Sequence, residues 1–382
     1  MNKVYITGSS IISALGNNKN DSVKKIQEIT NDNYLEYLKD NFQELKYYQI
    51  KKNFVSKEEK FYSILEEVVL EAIEDAKLSK EEAKDLHIFL GSTSMSISIV
   101  EEQHLKYKNK QSSHEIKNIG YGEIGNFIEN LINSKYTSTI IQTACTSSAN
   151  AICHASDFIK NKKIKKALII GFEFFNYTTY KGFESLMLLS KSGEYKPFDM
   201  NSDGLILGEA CSAVILESEK KEKSDFEILS SNNSFDNYSV TSSNPNGETT
   251  LSCMEEALSK AKLSIENLTC LKAHATGSEN SNLSEVVAID KLFKKYKQKT
   301  DVVILKPYIG HTLGACGSNE IVLLCESIKN NFLPKTINFY KSYNNIDFTP
   351  LLKSKEINKA TVLFHFIGFG GSNTSMILSN ES

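Results

Sequence analysis

At 382 residues the chain is long enough for two domains or for one large two-part core. Its 40% hydrophobic and 24% charged content is that of a soluble globular protein, and a net charge of −3 leaves a nucleic-acid role without an electrostatic footprint. Every basic residue is a lysine, which removes arginine forks as a way to grip phosphate.

The opening stretch MNKVYITGSSIISALG lacks the continuous apolar run of a signal peptide, and no run approaches the roughly 20 apolar residues of a membrane span. The seven cysteines show no Cys-x-x-Cys spacing. That argues for reduced thiols in a cytoplasmic protein rather than a disulfide framework or a zinc site.

Strands and helices alternate along the chain, which predicts an α/β protein. VYITG reads as a first strand. SKEEKFYSILEEVVLEAIEDAKLS opens on a capping box, Ser56 to Glu59, and carries Phe61, Ile64, Leu65, Val68, Ala72, Ile73 and Ala76 on one helical face. HIFLG is a buried strand. TIIQTAC is a strand leading into a helix from about Ser147. KALIIGFEFF and CSAVILES are further strands.

The second half replays the first. EAIEDAKLSKEEAKDLHIFLGST and EALSKAKLSIENLTCLKAHATGS share a helix ending in Ala-Lys-Leu-Ser, a polar link and a buried strand. ACTSSANAICHASDFIKN and ACGSNEIVLLCESIKN share a small-residue turn followed by a helix. Two matches in the same order indicate an internal duplication. The polar run ESEKKEKS, Glu217 to Ser224, marks the seam between an N-terminal half, 1–220, and a C-terminal half, 221–382.

Four stretches carry chemistry. In TACTSSAN, Cys145 falls where a strand gives way to a helix, and unpaired N–H groups there favour thiolate. It reads either as a nucleophile elbow or as a buried core cysteine. In KAHATGS, His274 ends a strand and turns at once through Thr276 and Gly277. In KPYIGHTLGACG, His311 lies between glycines just before a helix, with Lys306 five residues upstream. Both histidines fall at the carboxyl edge expected of a sheet, where open α/β folds place their sites. The other histidines, His87, His104, His114, His154 and His365, read as satisfied core groups. One cysteine with two such histidines suggests acyl transfer through a thioester. In GFGGSN, Gly368 to Asn373, the backbone could aim the Phe369 amide at an oxyanion, although composition alone reads as a hairpin between TVLFHF and TSMIL.

Together TACTSS, HATGS, KPYIGHTLGACG and GFGGSN resemble the β-ketoacyl-ACP synthases of the KAS I/II type, decarboxylating condensing enzymes of the thiolase superfamily. PFDMNSDGLILGEAC and the opening VYITG…SALG match the same family, so the resemblance spans essentially the whole chain. It implies a thiolase-like duplicated fold, layered α-β-α-β-α with two mixed sheets. It also implies decarboxylating condensation of acyl-ACP with malonyl-ACP to a 3-oxoacyl-ACP, in fatty acid or polyketide elongation. Cys145 would be the acyl-accepting nucleophile, His274 and His311 the histidine pair, and Lys306 the accompanying lysine, expected to pair with Glu285. Cys145 and Phe369 would supply the oxyanion amides, with Phe369 as gate and Thr276, Gly310, Gly368 and Gly370 in support. The resemblance implies no metal or organic cofactor, since substrates ride on carrier-protein phosphopantetheine. It implies a homodimer or a heterodimer with a ketosynthase paralogue, and an acyl carrier protein as partner. KNKKIKK, Lys160 to Lys166, is the densest candidate patch for that carrier, or else a solvated helix end.

Two positions depart from the family pattern, Ala275 where glycine is usual and Asn282 where aspartate is usual. The wording KPYIGHTLGACG and the short loops look most similar to synthases of aryl-polyene-type pathways. Four other readings are weighed: a chain-length-factor-like partner subunit, which Cys145 counts against; a biosynthetic thiolase, whose second cysteine would fall where Ser372 and Asn373 stand; a cysteine acyl-thioester hydrolase; and a non-catalytic binding module.

Overall fold

The computed structural model describes residues 2–42, 45–113, 116 and 120–381, so His114 lies outside the described residues. The first half contributes β1 (Tyr5–Ser13), β2 (His87–Gly91), β3 (Thr139–Ile141), β4 (Lys166–Glu173) and β5 (Ala210–Glu217). The second contributes β6 (Phe226–Phe235), β7 (Cys270–Lys272), β8 (Asp301–Val303), β9 (Thr361–Ile367) and β10 (Ser372–Ser379).

The first five strands lie in the order β3-β2-β4-β5-β1, the second five in the order β8-β7-β9-β10-β6. In each block the first three are parallel and the last two join antiparallel. The same order and sense in two consecutive stretches of one chain is what a duplicated gene segment produces. The two mixed sheets expected from the resemblance are joined edge to edge. Tyr5 pairs with Glu227 and Ile6 with Phe226, making ten continuous strands.

The duplication extends to helix ends. α1 (Lys57–Asp75) packs on β1 and β5, and α3 (Glu248–Ala261) packs in the equivalent place on β6 and β10. Both end alike. Lys77 and Lys262 take left-handed φ of 54° and 56°, and the following leucine amides, Leu78 and Leu263, donate to the carbonyls of Ile73 and Leu258. That six-to-one bond is the Schellman closure, and it explains the repeated Ala-Lys-Leu-Ser.

Between the two blocks run α2 (Ser147–Lys160) and α5 (Cys316–Lys329), the repeated small-residue helices. They approach closely because Gly317 has no side chain: a Cβ there would meet the Ala149 nitrogen at 2.2 Å. The Ser318 amide donates to Ser148 Oγ at 3.1 Å across the same contact. Since Cys145 precedes α2 and His311 precedes α5, this packing brings the two halves' chemistry to one end of the helix pair.

Several local expectations need correction. The first strand runs on to Ser13, because both of its faces are covered. Ser56 Oγ does accept from the Glu59 amide at 3.0 Å, but Glu59 reaches past it to the Val55 amide, so the reciprocal half of the box is shifted by one residue. His104 and His154 are exposed on outward helix faces, and His87 is half-buried and stacked on Tyr136 at 3.8 Å. Of those described, only His365 has the core setting expected: it is fully buried, with Nδ1 2.8 Å from Ser375 Oγ.

Candidate active site

Cys145 sits in the turn from β3 to α2. Ala144, just before it, takes a φ of +52°, a left-handed conformation that costs a side-chain-bearing residue roughly 1–2 kcal/mol. The turn is held by the Thr146 amide on the Thr143 carbonyl (3.2 Å) and by Ser147 Oγ on the Ala144 carbonyl (2.6 Å). Helix α2 begins at Ser147 with Thr146 as its N-cap, so the sulfur stands just outside the first turn.

The thiolate expected at that helix end is not the resting form. Cys145 is only 4% exposed, and burial, reinforced by Cys316, pushes its thiol up to about 12. Lys306 and a hydrogen bond from the Phe369 amide act in the opposite direction and are outweighed.

The hairpin reading of GFGGSN holds. β9 and β10 form the hairpin, with Ile367 opposite Asn373, and Gly370 and Gly371 take φ of 78° and 87°. Its start is pressed against the nucleophile turn. A Cβ on Gly368 would lie 3.0 Å from the Thr143 carbonyl oxygen and 3.3 Å from the Cys145 nitrogen. That contact puts the Phe369 amide on the Cys145 sulfur.

His274 lies two residues past β7 and is 1% exposed. Its backbone is clamped by Glu285 on α4 (Glu279–Tyr296): the His274 and Ala275 amides each donate to a carboxylate oxygen at 2.6 Å. Ala275 is held at φ +47°, the conformation that makes glycine the usual residue there. Asn282, the other departure, accepts from the Phe198 and Gly277 amides and donates to Tyr343. Burial, opposed by the two amides, pushes the Glu285 carboxyl up to about 7.

The expected Lys306–Glu285 pair is not formed. Lys306 Nζ binds Glu320 Oε1 on α5 at 2.6 Å and faces His274 Nδ1 at 3.2 Å. The other oxygen of Glu320 takes Lys272, a second buried lysine that the sequence reading missed. Lys272 also lies 3.7 Å over the Phe366 ring. Both lysines and Glu320 are fully buried. Glu285 cannot be the partner because both of its oxygens are spent on backbone amides. Burial alone would lower Lys306 and raise Glu320, yet their mutual attraction keeps both charged. Lys272 falls under the same burial to about 8. The signal was available: Lys272 and Glu320 are charges inside otherwise apolar runs, CLKAHA and ACGSNEIVLLC.

His311 is placed by the segment that carries PFDMNSDGLILGEAC. Its amide donates to the Ile206 carbonyl at 2.7 Å, and its carbonyl accepts from Gly208 at 3.1 Å. Gly310 makes the turn possible, with φ +73° and no room for a Cβ against Tyr48 and Leu207. The His274 and His311 rings meet edge to face at 5.3 Å. Burial first, then the nearby lysines, hold both imidazoles well below their ordinary range, so both are neutral.

Cys145, His274, His311, Thr276, Gly368 and Phe369 line one pocket. Phe183 stacks on Phe369 at 5.6 Å beside it, and the free space within is about 20 Å³, room for about one water. A wider groove of about 650 Å³, around Lys299, Asp301 and Lys355, holds none of these residues. The lysine run at 160–166 starts at the far end of α2, which at 14 residues is about 20 Å long, so it does not flank the pocket. Among the described residues no group of three or more His, Cys, Asp or Glu could hold a metal ion.

Two family profiles match this arrangement: the beta-ketoacyl synthase N-terminal domain over residues 27–222 and its C-terminal domain over 226–340. The chain belongs to the beta-ketoacyl synthase family. A putative mitochondrial 3-oxoacyl-[acyl-carrier-protein] synthase of Schizosaccharomyces pombe is 32% identical over 256 residues, covering 61% of this chain and 59% of its own. The 3-oxoacyl-[acyl-carrier-protein] synthase 2 of Coxiella burnetii is 30% identical over 275 residues, 68% of this chain and 66% of its own. The match thus spans about three-fifths to two-thirds of those curated relatives. In fold, the beta-ketoacyl synthase chain superposes on a ketosynthase solved in complex with its chain length factor from Xenorhabdus doucetiae. The TM-score is 0.80, with 22% identity and coverage of 99% of this chain and 98% of that one.

Proposed function

We propose that this protein catalyses the decarboxylating condensation of acyl-ACP with malonyl-ACP, giving a 3-oxoacyl-ACP through an acyl-Cys145 intermediate. The observation that carries the reading is the orientation of His274. An ammonium has only donors to offer, so Lys306 facing Nδ1 makes that nitrogen an acceptor and leaves the proton on Nε2. Nε2 is buried without a protein partner and belongs to the pocket shared with Cys145. A cysteine hydrolase needs an imidazole lone pair beside the sulfur, whereas a condensing enzyme needs N–H donors for an enolate oxygen. A chain-length-factor-like subunit has no use for Cys145.

In the first half-reaction the Cys145 sulfur bonds to the acyl carbonyl and the carrier's C–S bond breaks. The thiol proton of Cys145 ends on the departing phosphopantetheine. Malonyl-ACP then loses carbon dioxide, and the freed electron pair becomes an enolate whose oxygen takes the Nε2–H groups of His274 and His311. The enolate carbon attacks the acyl-Cys145 carbonyl. The amides of Cys145 and Phe369 hold the oxyanion, a contribution of roughly 3–4 kcal/mol per strong donor. Cys145 leaves and takes a proton from water. No metal or organic cofactor enters these steps. Lys306, Glu285, Thr276, Gly310, Gly368 and Gly370 shape the site, which is assembled from the halves 1–220 and 221–382.

The acyl carrier protein that appears in the relatives' names is the expected partner. A dimer, with a second copy or a ketosynthase paralogue, is expected across β3, which among the described residues pairs on one side only and leads straight to Cys145. All seven cysteines are buried and unpaired, which supports a cytoplasmic location. The described residues include no helix long and apolar enough to cross a membrane. The KPYIGHTLGACG wording supports an aryl-polyene-type pathway as the setting.

Incubation with acyl-ACP and malonyl-ACP should yield a 3-oxoacyl-ACP two carbons longer by mass spectrometry. Release of free acid without elongation would favour the hydrolase instead. The neutral imidazoles predict a pH profile. Because both histidines stay deprotonated well below 6.5, single-turnover malonyl-ACP decarboxylation should show no imidazole step near that value. An inflection near pH 7 should come from Glu285 and vanish in Glu285→Gln. A 6.5 step that survives Glu285→Gln would contradict the neutral pair.

A further inference from the structure

His311 lacks the lysine that orders His274, and its Nδ1 instead lies 3.0 Å from the sulfur of Cys316, the first residue of α5. That cysteine lies outside the acyl-transfer chemistry, yet it touches one of the two histidines. Its own surroundings give the contact a direction. Asn319 Nδ2 donates to Thr312 Oγ1 at 3.1 Å, and the Thr312 hydroxyl donates to the Cys316 sulfur at 3.6 Å. An amide nitrogen can only donate, so Thr312 is left to pass its own proton forward, and the thiol in turn has only Nδ1 to receive its hydrogen. All four side chains are buried, so water does not interrupt the order.

Burial supports the same picture by pushing the Cys316 thiol up to about 12 while pushing His311 down, so the pair is a neutral thiol and a neutral imidazole. A thiolate–imidazolium pair would put two charges in a dry site with one poor hydrogen bond between them.

We propose that Cys316 is the positioning residue of His311. Its S–H donates to Nδ1, at the end of the Asn319–Thr312–Cys316 chain, and so fixes the tautomer that carries its proton on Nε2. The two halves of the site then reach one outcome by different means, an ammonium behind His274 and a thiol behind His311. This inference rests on the condensing reading for its consequence in rate, but not for the tautomer itself.

The test compares wild-type protein with Cys316→Ala, which removes the donor, and Cys316→Ser, which restores one. Loading of Cys145 from acyl-ACP should persist in all three. Malonyl-ACP decarboxylation should fall roughly tenfold in the alanine variant and recover in the serine variant, the loss expected of one withdrawn hydrogen bond. Ring-nitrogen NMR on ¹⁵N-histidine protein should show His311 protonated at Nε2 in the wild type and the serine variant, and a mixture of tautomers in the alanine variant. Wild-type decarboxylation in Cys316→Ala, or equal losses in Ala and Ser, would overturn the proposal. If the wild type neither loads acyl groups nor decarboxylates malonyl-ACP, the condensing reading fails. The nitrogen spectra then decide this inference alone: an Nδ1-protonated His311, or a tautomer indifferent to Cys316→Ala, refutes it.

Discussion

Cys145→Ala is expected to take up no acyl group from acyl-ACP, while His274→Ala loads one equivalent and then stops. The two variants separate because they remove different things. In the proposed reaction Cys145 provides the atom that forms the thioester, and no other buried cysteine lines the pocket to replace it. His274 has an Nε2 that is buried without a partner, and in the proposed reaction its N–H receives the enolate oxygen. On that proposal, losing it leaves the Cys145 sulfur and the Phe369 amide in place and withdraws one of the two donors assigned to decarboxylation. The expected readings are an adduct mass absent in the first variant, and present but unconsumed by malonyl-ACP in the second. Decarboxylation by His274→Ala should fall by about 10²-fold or more, as for the removal of one preorganised donor. Label that persists in Cys145→Ala would disprove the nucleophile assignment. Undiminished condensation by His274→Ala would disprove the donor pair.

Glu320→Gln should cost the fold about 3–5 kcal/mol, the penalty of leaving buried charge without its counterion. Here the one carboxylate serves two fully buried lysines, Lys272 and Lys306, so its loss strands two ammonium groups at once. Chemical denaturation should show the drop in midpoint. Adding Lys272→Met should recover a substantial part of it, because one of the stranded charges is then gone and Met is apolar beside Phe366. A Glu320→Gln protein as stable as the parent would mean that the lysines are neutral. The linkage from Lys272 has a definite sign. Its folded-state pKa, about 8, lies below the ordinary 10.5, so between those values the unfolded chain binds more protons and stability rises with pH. Lys272→Met should flatten that rise.

The turns that carry Cys145, His274 and His311 were legible because each sits where a periodicity change or a glycine marks a strand running into a turn. The duplication was legible for the same reason, as repeated helix ends impose repeated cap chemistry. The partner of Lys306 was not. Glu285 and Glu320 are both acids on helices that follow the histidine strands, and only packing shows that Glu285 is consumed by the His274 and Ala275 amides. The protonation of Cys145 was misread because a helix end favours thiolate only while the sulfur keeps some solvent, and here the Phe369 hairpin seals it. The basic run at 160–166 was a poor guide to the pocket because charge density along a chain does not say which end of a helix it occupies.

Local chemistry along the chain determined the alternating elements, the repeat, the elbow at Cys145 and the two histidine turns, all of which arise from forces acting over a few residues. Tertiary structure alone decided which acid meets which lysine, which neighbour each imidazole meets and how dry the sulfur is. Those depend on α2 and α5 meeting at Gly317 and on the hairpin lying against Gly368, contacts between segments more than 150 residues apart that bring each group its counterion, its donor or its seal.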